Sequence, residues 1–202
     1  MSHAEELHPP PWLAADRTGA EHEPDALLRA AREGDEDAFR TLYRQIHPRL
    51  LRYVRTLVGD DAEDVTSEAW LHIARDIAIF KGDINGFRGW TVTIARHRAL
   101  DHLRHRKRRP VAQTPVDELP EQTAPEDTET TALNSLSTEA ALALIARLPH
   151  DQAEIIILRV VVGLDAKTVA KIIGKRPGAV RTAAHRGLRR LEHLINDLEP
   201  PR

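Results

Sequence analysis

The chain contains no cysteine, which excludes disulfide staples, thiolate metal sites and thiol nucleophiles. Aromatic residues make up only 4% of its 202 residues, and β-branched side chains seldom alternate with polar ones, so a sheet has little to be built from. No apolar run approaches the ~20 residues that a membrane span requires. The opening stretch, MSHAEELHPPPWLAADRTG, has no basic start followed by an apolar segment, so no signal peptide is expected. HExxH, Walker-type phosphate-loop and GxSxG patterns are also missing, which leaves catalysis little to stand on. These absences predict an all-α, cytoplasmic, non-enzymatic protein with no cofactor and no membrane insertion.

What the chain does have is patterned charge. Its net charge of −2 conceals alternating blocks. Residues 1–24 carry five carboxylates against one arginine, and residues 110–135 carry six carboxylates with no lysine or arginine. Residues 25–109 hold 17 basic and 13 acidic groups, and residues 136–202 hold 11 and seven. Two basic blocks separated by an acidic stretch suit a two-module nucleic-acid binder. The densest block, RGWTVTIARHRALDHLRHRKRR over residues 88–109, has eight Arg/Lys, three His and a single carboxylate, Asp101. Lysine and arginine neutralise phosphates, and a leading aromatic such as Trp90 offers a base a stacking surface. A solvated helix face is the alternative for such a run. His102 and His105 stand one turn apart, but no third metal ligand is arranged with them.

The organisation predicts two small helical domains. Residues 1–24, with Pro9, Pro10 and Pro11, read as a disordered acidic tail. Residues 110–135 read as a flexible acidic tether, because Pro110, Pro115, Pro120 and Pro125 forbid long helices and large apolar side chains are scarce. Between them, residues 25–109 predict a four-helix bundle. A first helix starts at an Asp25 cap and stops at Gly34. A second, capped by Asp35, runs past Pro48 to about Gly59. A third begins at Asp60 or Asp61 and buries Val65, Ala69, Ile73 and Ile77. A glycine-rich turn over residues 81–86 then leads into the basic helix. On the third helix Asp61, Asp64 and Glu68 share one ridge. Beside a basic helix it reads as a protein-binding face, although carboxylates in a first turn also stabilise a helix by themselves.

Residues 136–196 predict the second domain, with helices over residues 138–148 and 151–162. After them Asp165 caps a short helix ending at Gly174, and Pro177 opens another. Val169, Ala170, Ile173, Val180, Leu188 and Leu191 are the expected interhelical core, with Ala170 at the crossing. This is helix-turn-helix grammar, and Arg181, Thr182, His185 and Arg186 fall on the outer face of the second helix. A helical hairpin used only as scaffold is the alternative.

The segment from DAFRTLYRQIHPRLLRYV through DDAEDVTSEAWLHIARDIAIF to FRGWTVTIARHRALDHLRHRKRR resembles region 2 of bacterial sigma factors of the extracytoplasmic-function (ECF) type. LPHDQAEIIILRVVVGLDAKTVAKIIGKRPGAVRTAAHRGLRRLEHL resembles their region 4, in the right order and with a tether of the right length between. The resemblance implies a subunit that binds core RNA polymerase and directs initiation at −10 and −35 promoter elements. It assigns Asp61, Asp64, Glu68 and Arg75 to the polymerase β′ clamp and gives the β flap as a further contact. It places Asp76, Phe80, Trp90, Val92 and His97 around an extruded −10 base, with Arg88, Arg96, Arg98 and Arg104 tracking the backbone. It sets Arg181, Thr182, His185 and Arg186 against the −35 element, and it implies an anti-sigma partner that occludes both modules. The family usually has Gln at Ser67, which predicts a weaker clamp contact, and Glu at Thr168, which predicts a different hydrogen bond orienting the helix-turn-helix. The remaining readings are a stand-alone helix-turn-helix regulator and, more distantly, a nucleic-acid enzyme.

Overall fold

The computed structural model describes residues 22–108 and 140–197, and every regular element among them is helical. Helix α1 (His22–Arg32) is followed by α2 (Glu36–Val58), a 3₁₀ turn (Gly59–Asp61), α3 (Ala62–Asp76), a second 3₁₀ turn (Ile77–Ile79) and α4 (Ile84–Arg108). Beyond the tether come a helical stretch over 140–146 (α5), α6 (His150–Ile156) running into a π-helical turn (Ile157–Val161), α7 (Ala166–Ile173) and α8 (Pro177–Asn196). Most of the expected tail and all of the expected tether lie outside the described residues.

Local chemistry explains most boundaries. The Asp35 carboxylate accepts from the N–H groups of Asp37 and Ala38, satisfying two donors that α2 leaves unpaired. Gly59 (φ 66°) ends that helix and Gly174 (φ 70°) ends α7, both in conformations that cost glycine little. Pro48 stays inside α2 on its exposed side, where the carbonyl left without its backbone donor faces solvent rather than the core.

Two expected starts differ. Helix α1 begins at His22 rather than at Asp25, because the Asp25 carboxylate has another use: it accepts the Ile84 N–H of α4 at 2.8 Å. The basic helix starts inside the glycine-rich turn, at Ile84, since Asp83 caps it by accepting the Gly86 N–H at 2.7 Å.

Leu42, Leu50, Val54, Val65, Ile73, Phe87 and Ala95 are each at most 2% exposed and fill the four-helix module. In the second module Ile155, Ile157, Leu158, Val169 and Val180 are wholly buried. Helix α8 lies so close to α6 that a Cβ on Gly187 would stand 2.5 Å from Ile156 Cδ1, so Gly187 makes the closest approach at that packing. Leu188, expected in the core, is 50% exposed, because that packing turns it outward. The two modules also share one continuous core. Ile155 to Leu158 form an unbroken apolar run because they are enclosed on two sides, by α8 and by α2 of the first module.

Candidate nucleic-acid and polymerase interfaces

Three surfaces carry the expected functional residues. The first is on α3. Ala62, Val65, Ala69, Trp70, Ile73 and the following Ile77 are buried, which turns Asp64, Glu68 and Arg75 outward at helical spacing. Leu71 lies on that same outward row and is 74% exposed. Sequence periodicity could have found it, as an apolar residue three positions past Glu68 and off the buried stripe. Asp61 is not a free member of the ridge. It sits in the 3₁₀ turn, 2.9 Å from His102 Nε2 and 2.7 Å from Arg106 Nη1, and so ties α3 to the basic helix. The His102 hydrogen bond, followed by the charges of His102 and Arg106, holds its pKa below the usual carboxylate value.

The second surface is α4 with the turn before it. Phe80 packs 5.2 Å from Trp90 and 5.4 Å from Phe87, and Phe87 lies 5.7 Å from Trp90. Phe87 escaped the sequence reading because it is wholly buried, supporting the cluster from beneath. Asp76, at the start of the turn leading to Phe80, pairs with Arg75 at 2.8 Å, and that bond lowers its pKa.

Helical spacing then divides the remaining residues into two rows. Trp90, His97 and Arg104 follow at intervals of seven, with His97 and Arg104 exposed to solvent. Arg88, Val92 and Arg96 follow at intervals of four and turn toward the second module. Val92 is 1% exposed. Arg88 lies beside Arg49, and burial together with that like charge lowers its pKa. Arg98 is half-buried between the rows.

Arg96 belongs to a network that crosses the module boundary. Its Nε donates to Glu154 Oε1 at 2.9 Å, and the Tyr53 hydroxyl donates to the same oxygen at 2.9 Å. Burial disfavours the Arg96 charge, but the bond and charge of Glu154 outweigh it and raise the Arg96 pKa. Burial, then the neighbouring carboxylate, pushes the Tyr53 phenol far above its ordinary value. Neither Tyr53 nor Glu154 carries a sequence signal; only the fold brings them together across 101 positions.

The third surface is the outer face of α8. Val180 and Gly187 are buried, which leaves Arg181, Thr182, His185 and Arg186 all exposed. Asp165 caps α7 by accepting from the Lys167 and Thr168 N–H groups and also accepts from the Thr168 hydroxyl at 2.7 Å, a bond confined to the first turn of α7.

A helix-turn-helix with an outward basic face, behind a bundle that carries a basic helix and an acidic ridge, is the arrangement the sequence predicted. Comparison with known families decides what it belongs to. The Sigma-70 region 2 family model matches residues 42–109, and the Sigma-70 region 4 model matches residues 138–191. The ECF RNA polymerase sigma factor ShbA of Streptomyces griseus is 37% identical over 84% of this chain and 93% of its own length. The chain belongs to the ECF sigma factors. SigD of Mycobacterium tuberculosis, another ECF sigma factor, is 35% identical over 85% of the chain and 83% of its own length. Among solved structures, CnrH in complex with the cytosolic domain of CnrY superposes with a TM-score of 0.57 at 20% identity, covering 87% of this chain and 99% of CnrH. RpoE from Bartonella quintana, in complex with the anti-sigma factor NepR, gives 0.54 at 21% identity over 80% of this chain and 98% of RpoE. Those two likenesses concern the fold. Among the described residues of this sigma factor no helix is long and apolar enough to cross a membrane.

Proposed function

We propose that this ECF sigma factor divides promoter recognition between its two modules and acts in the cytoplasm as a non-catalytic subunit of RNA polymerase. The outward row of Asp64, Glu68, Leu71 and Arg75 docks on the β′ clamp, the acidic groups giving orientation and Leu71 the apolar contact. Asp61 acts on that face by holding α3 against α4. The second module contacts the β flap.

At the −10 element, Phe80 and Trp90, backed by Phe87, provide the aromatic wall against which a non-template base stacks after leaving the duplex. Asp76, Val92 and His97 lie on the same helix or its approach. Unstacking costs a few kcal/mol, which stacking and the phosphate contacts of Arg88, Arg96, Arg98 and Arg104 return. At the −35 element Arg181, Thr182, His185 and Arg186 read base edges from α8. An anti-sigma factor is the expected regulatory partner, in keeping with the complexes in which two proteins of this fold were solved.

The observation that carries this reading is the joint exposure of the α3 ridge and the α8 reading face on modules matched, in order, by regions 2 and 4. The region 2 match disfavours a stand-alone regulator, for which the ridge would have no purpose. Run-off transcription with core RNA polymerase on genomic fragments tests it. Discrete promoter-specific transcripts that need both core enzyme and this chain are expected, and their absence from every template would overturn the reading.

A further inference from the structure

A groove of about 580 Å³ opens where α1 turns into α2 and both meet the end of α3. Phe39 and Tyr43 line it from α2, and Ala74, Ile77 and Ala78 line it from α3 and the 3₁₀ turn. Both rings are held from behind by Trp70, which is 6% exposed and lies edge-on 6.0 Å from Phe39 and 4.7 Å from Tyr43. In a chain with only 4% aromatic residues, this second cluster is separate from the one around Phe80 and Trp90. The alanines opposite the rings leave a slot rather than a filled seam. Arg32 also lines the groove, and its Nε is buried without an acceptor among the described residues. An apolar slot with an aromatic wall and one unused donor has the form of a binding groove.

We propose that its occupant is the chain's own segment Pro9–Leu13, Pro-Pro-Pro-Trp-Leu, seated against Phe39 and Tyr43. Aromatic-lined grooves take proline runs because the polyproline II helix is preformed and loses little entropy on docking. Its carbonyls make no internal hydrogen bonds, so one of them can accept the Arg32 Nε–H. Trp12 is the only aromatic residue before α1, and with Leu13 it supplies the apolar surface that the slot can bury. Ile77 and Ala78 belong to the turn that leads to Phe80, so a seated segment also braces the approach to the −10 aromatics. The contact itself is independent of the sigma-factor reading, because neither DNA nor polymerase takes part in it.

Reach and concentration favour this occupant over a separate partner. The segment has to return from the start of α1 to its end, a rise of ~16 Å over 11 residues. Residues 14–21 can span ~26 Å, so they cover that distance with slack. A site joined to its ligand by so short a stretch sees it at an effective concentration on the order of 1 mM. A contact too weak to hold a free peptide at micromolar concentration is therefore half filled or better within one chain.

The chain's lack of cysteine lets a single nitroxide label be placed where it is wanted. Attached at Arg40→Cys, exposed on the rim of the groove, it should erase at least half of the Trp12 indole N–H peak in NMR spectra of the full chain. Reducing the nitroxide should restore the peak, and Trp12→Phe identifies it among the three tryptophans. The same label at Glu192→Cys on α8, exposed and in the other module, should leave Trp12 unaffected. Ala74 and Ala78 are both exposed, so Ala74→Glu or Ala78→Glu fills the slot with a charge without entering the core. Either should return most of the lost Trp12 intensity at unchanged helix content. A Trp12 peak untouched by the label at position 40, or a loss that persists in both glutamate variants, would overturn the proposal. So would loss of the peak in an isotope-labelled chain mixed with a second chain that alone carries the nitroxide, since the groove would then belong to another copy's segment.

Discussion

Arg181 and Arg186 are exposed on the outer face of α8 without any carboxylate partner among the described residues, so nothing within the protein competes with DNA for them. Replacing either by alanine should weaken −35 binding by ~1–3 kcal/mol per lost base contact. Competition between variant −35 sequences checks it: relaxed specificity marks a base contact, and a uniform loss marks a phosphate contact. Asp61 carries a different prediction. Its pKa is depressed in the folded protein, so it contributes stability above its unperturbed value of 3.8 that is lost as pH falls through the folded value. Asp61→Asn should therefore unfold more easily than the wild type at about pH 6, and the difference should vanish in strongly acid solution. Denaturant titrations at the two pH values measure this.

At the scale of single helices, α3 shows how burial of one side creates function on the other. Because Val65, Ala69 and Ile73 anchor it, Leu71 has no place in the core and stays 74% exposed. Leu71→Ala should leave the melting temperature nearly unchanged and weaken core polymerase binding by up to ~2 kcal/mol, the value of burying a leucine side chain. Calorimetric titration with core enzyme reads the second quantity directly. The turn between α7 and α8 carries the complementary case. Gly174 has φ 70° and open space where a Cβ would go, so only backbone conformation opposes substitution. Gly174→Ala should destabilise the helix-turn-helix by ~1 kcal/mol without any steric clash, seen as a lower denaturation midpoint at unchanged slope.

At the scale of the whole molecule, the continuous core makes the modules cooperative. Trp70 and Trp90 lie in the first module and the third tryptophan, Trp12, lies outside the described residues, so in a Trp12→Phe background fluorescence follows the first module alone, while far-ultraviolet dichroism follows the helices of both. The two signals should melt together in the wild type. In Glu154→Gln, which weakens the hydrogen bonds of Arg96 and Tyr53 across the modules, they should separate into two transitions. Coincident melting in that variant would show that apolar contacts alone hold the modules together.

Periodicity and caps were enough to predict an all-α chain, the approximate bounds of α2, α3 and the helix-turn-helix, and the outward rows on α3 and α8, because each depends on residues within one or two turns of each other. The same local reading placed Asp25 at a helix cap and Leu188 in a core, whereas contacts from distant segments decided both positions. Tertiary structure alone decided the partners of Asp61, the aromatic support from Phe87, and the meeting of Tyr53, Arg96 and Glu154. Helix-forming patterns repeat every few residues and are written along the chain. A polar group buried between two modules leaves no such period, since its partner is chosen by packing rather than by spacing.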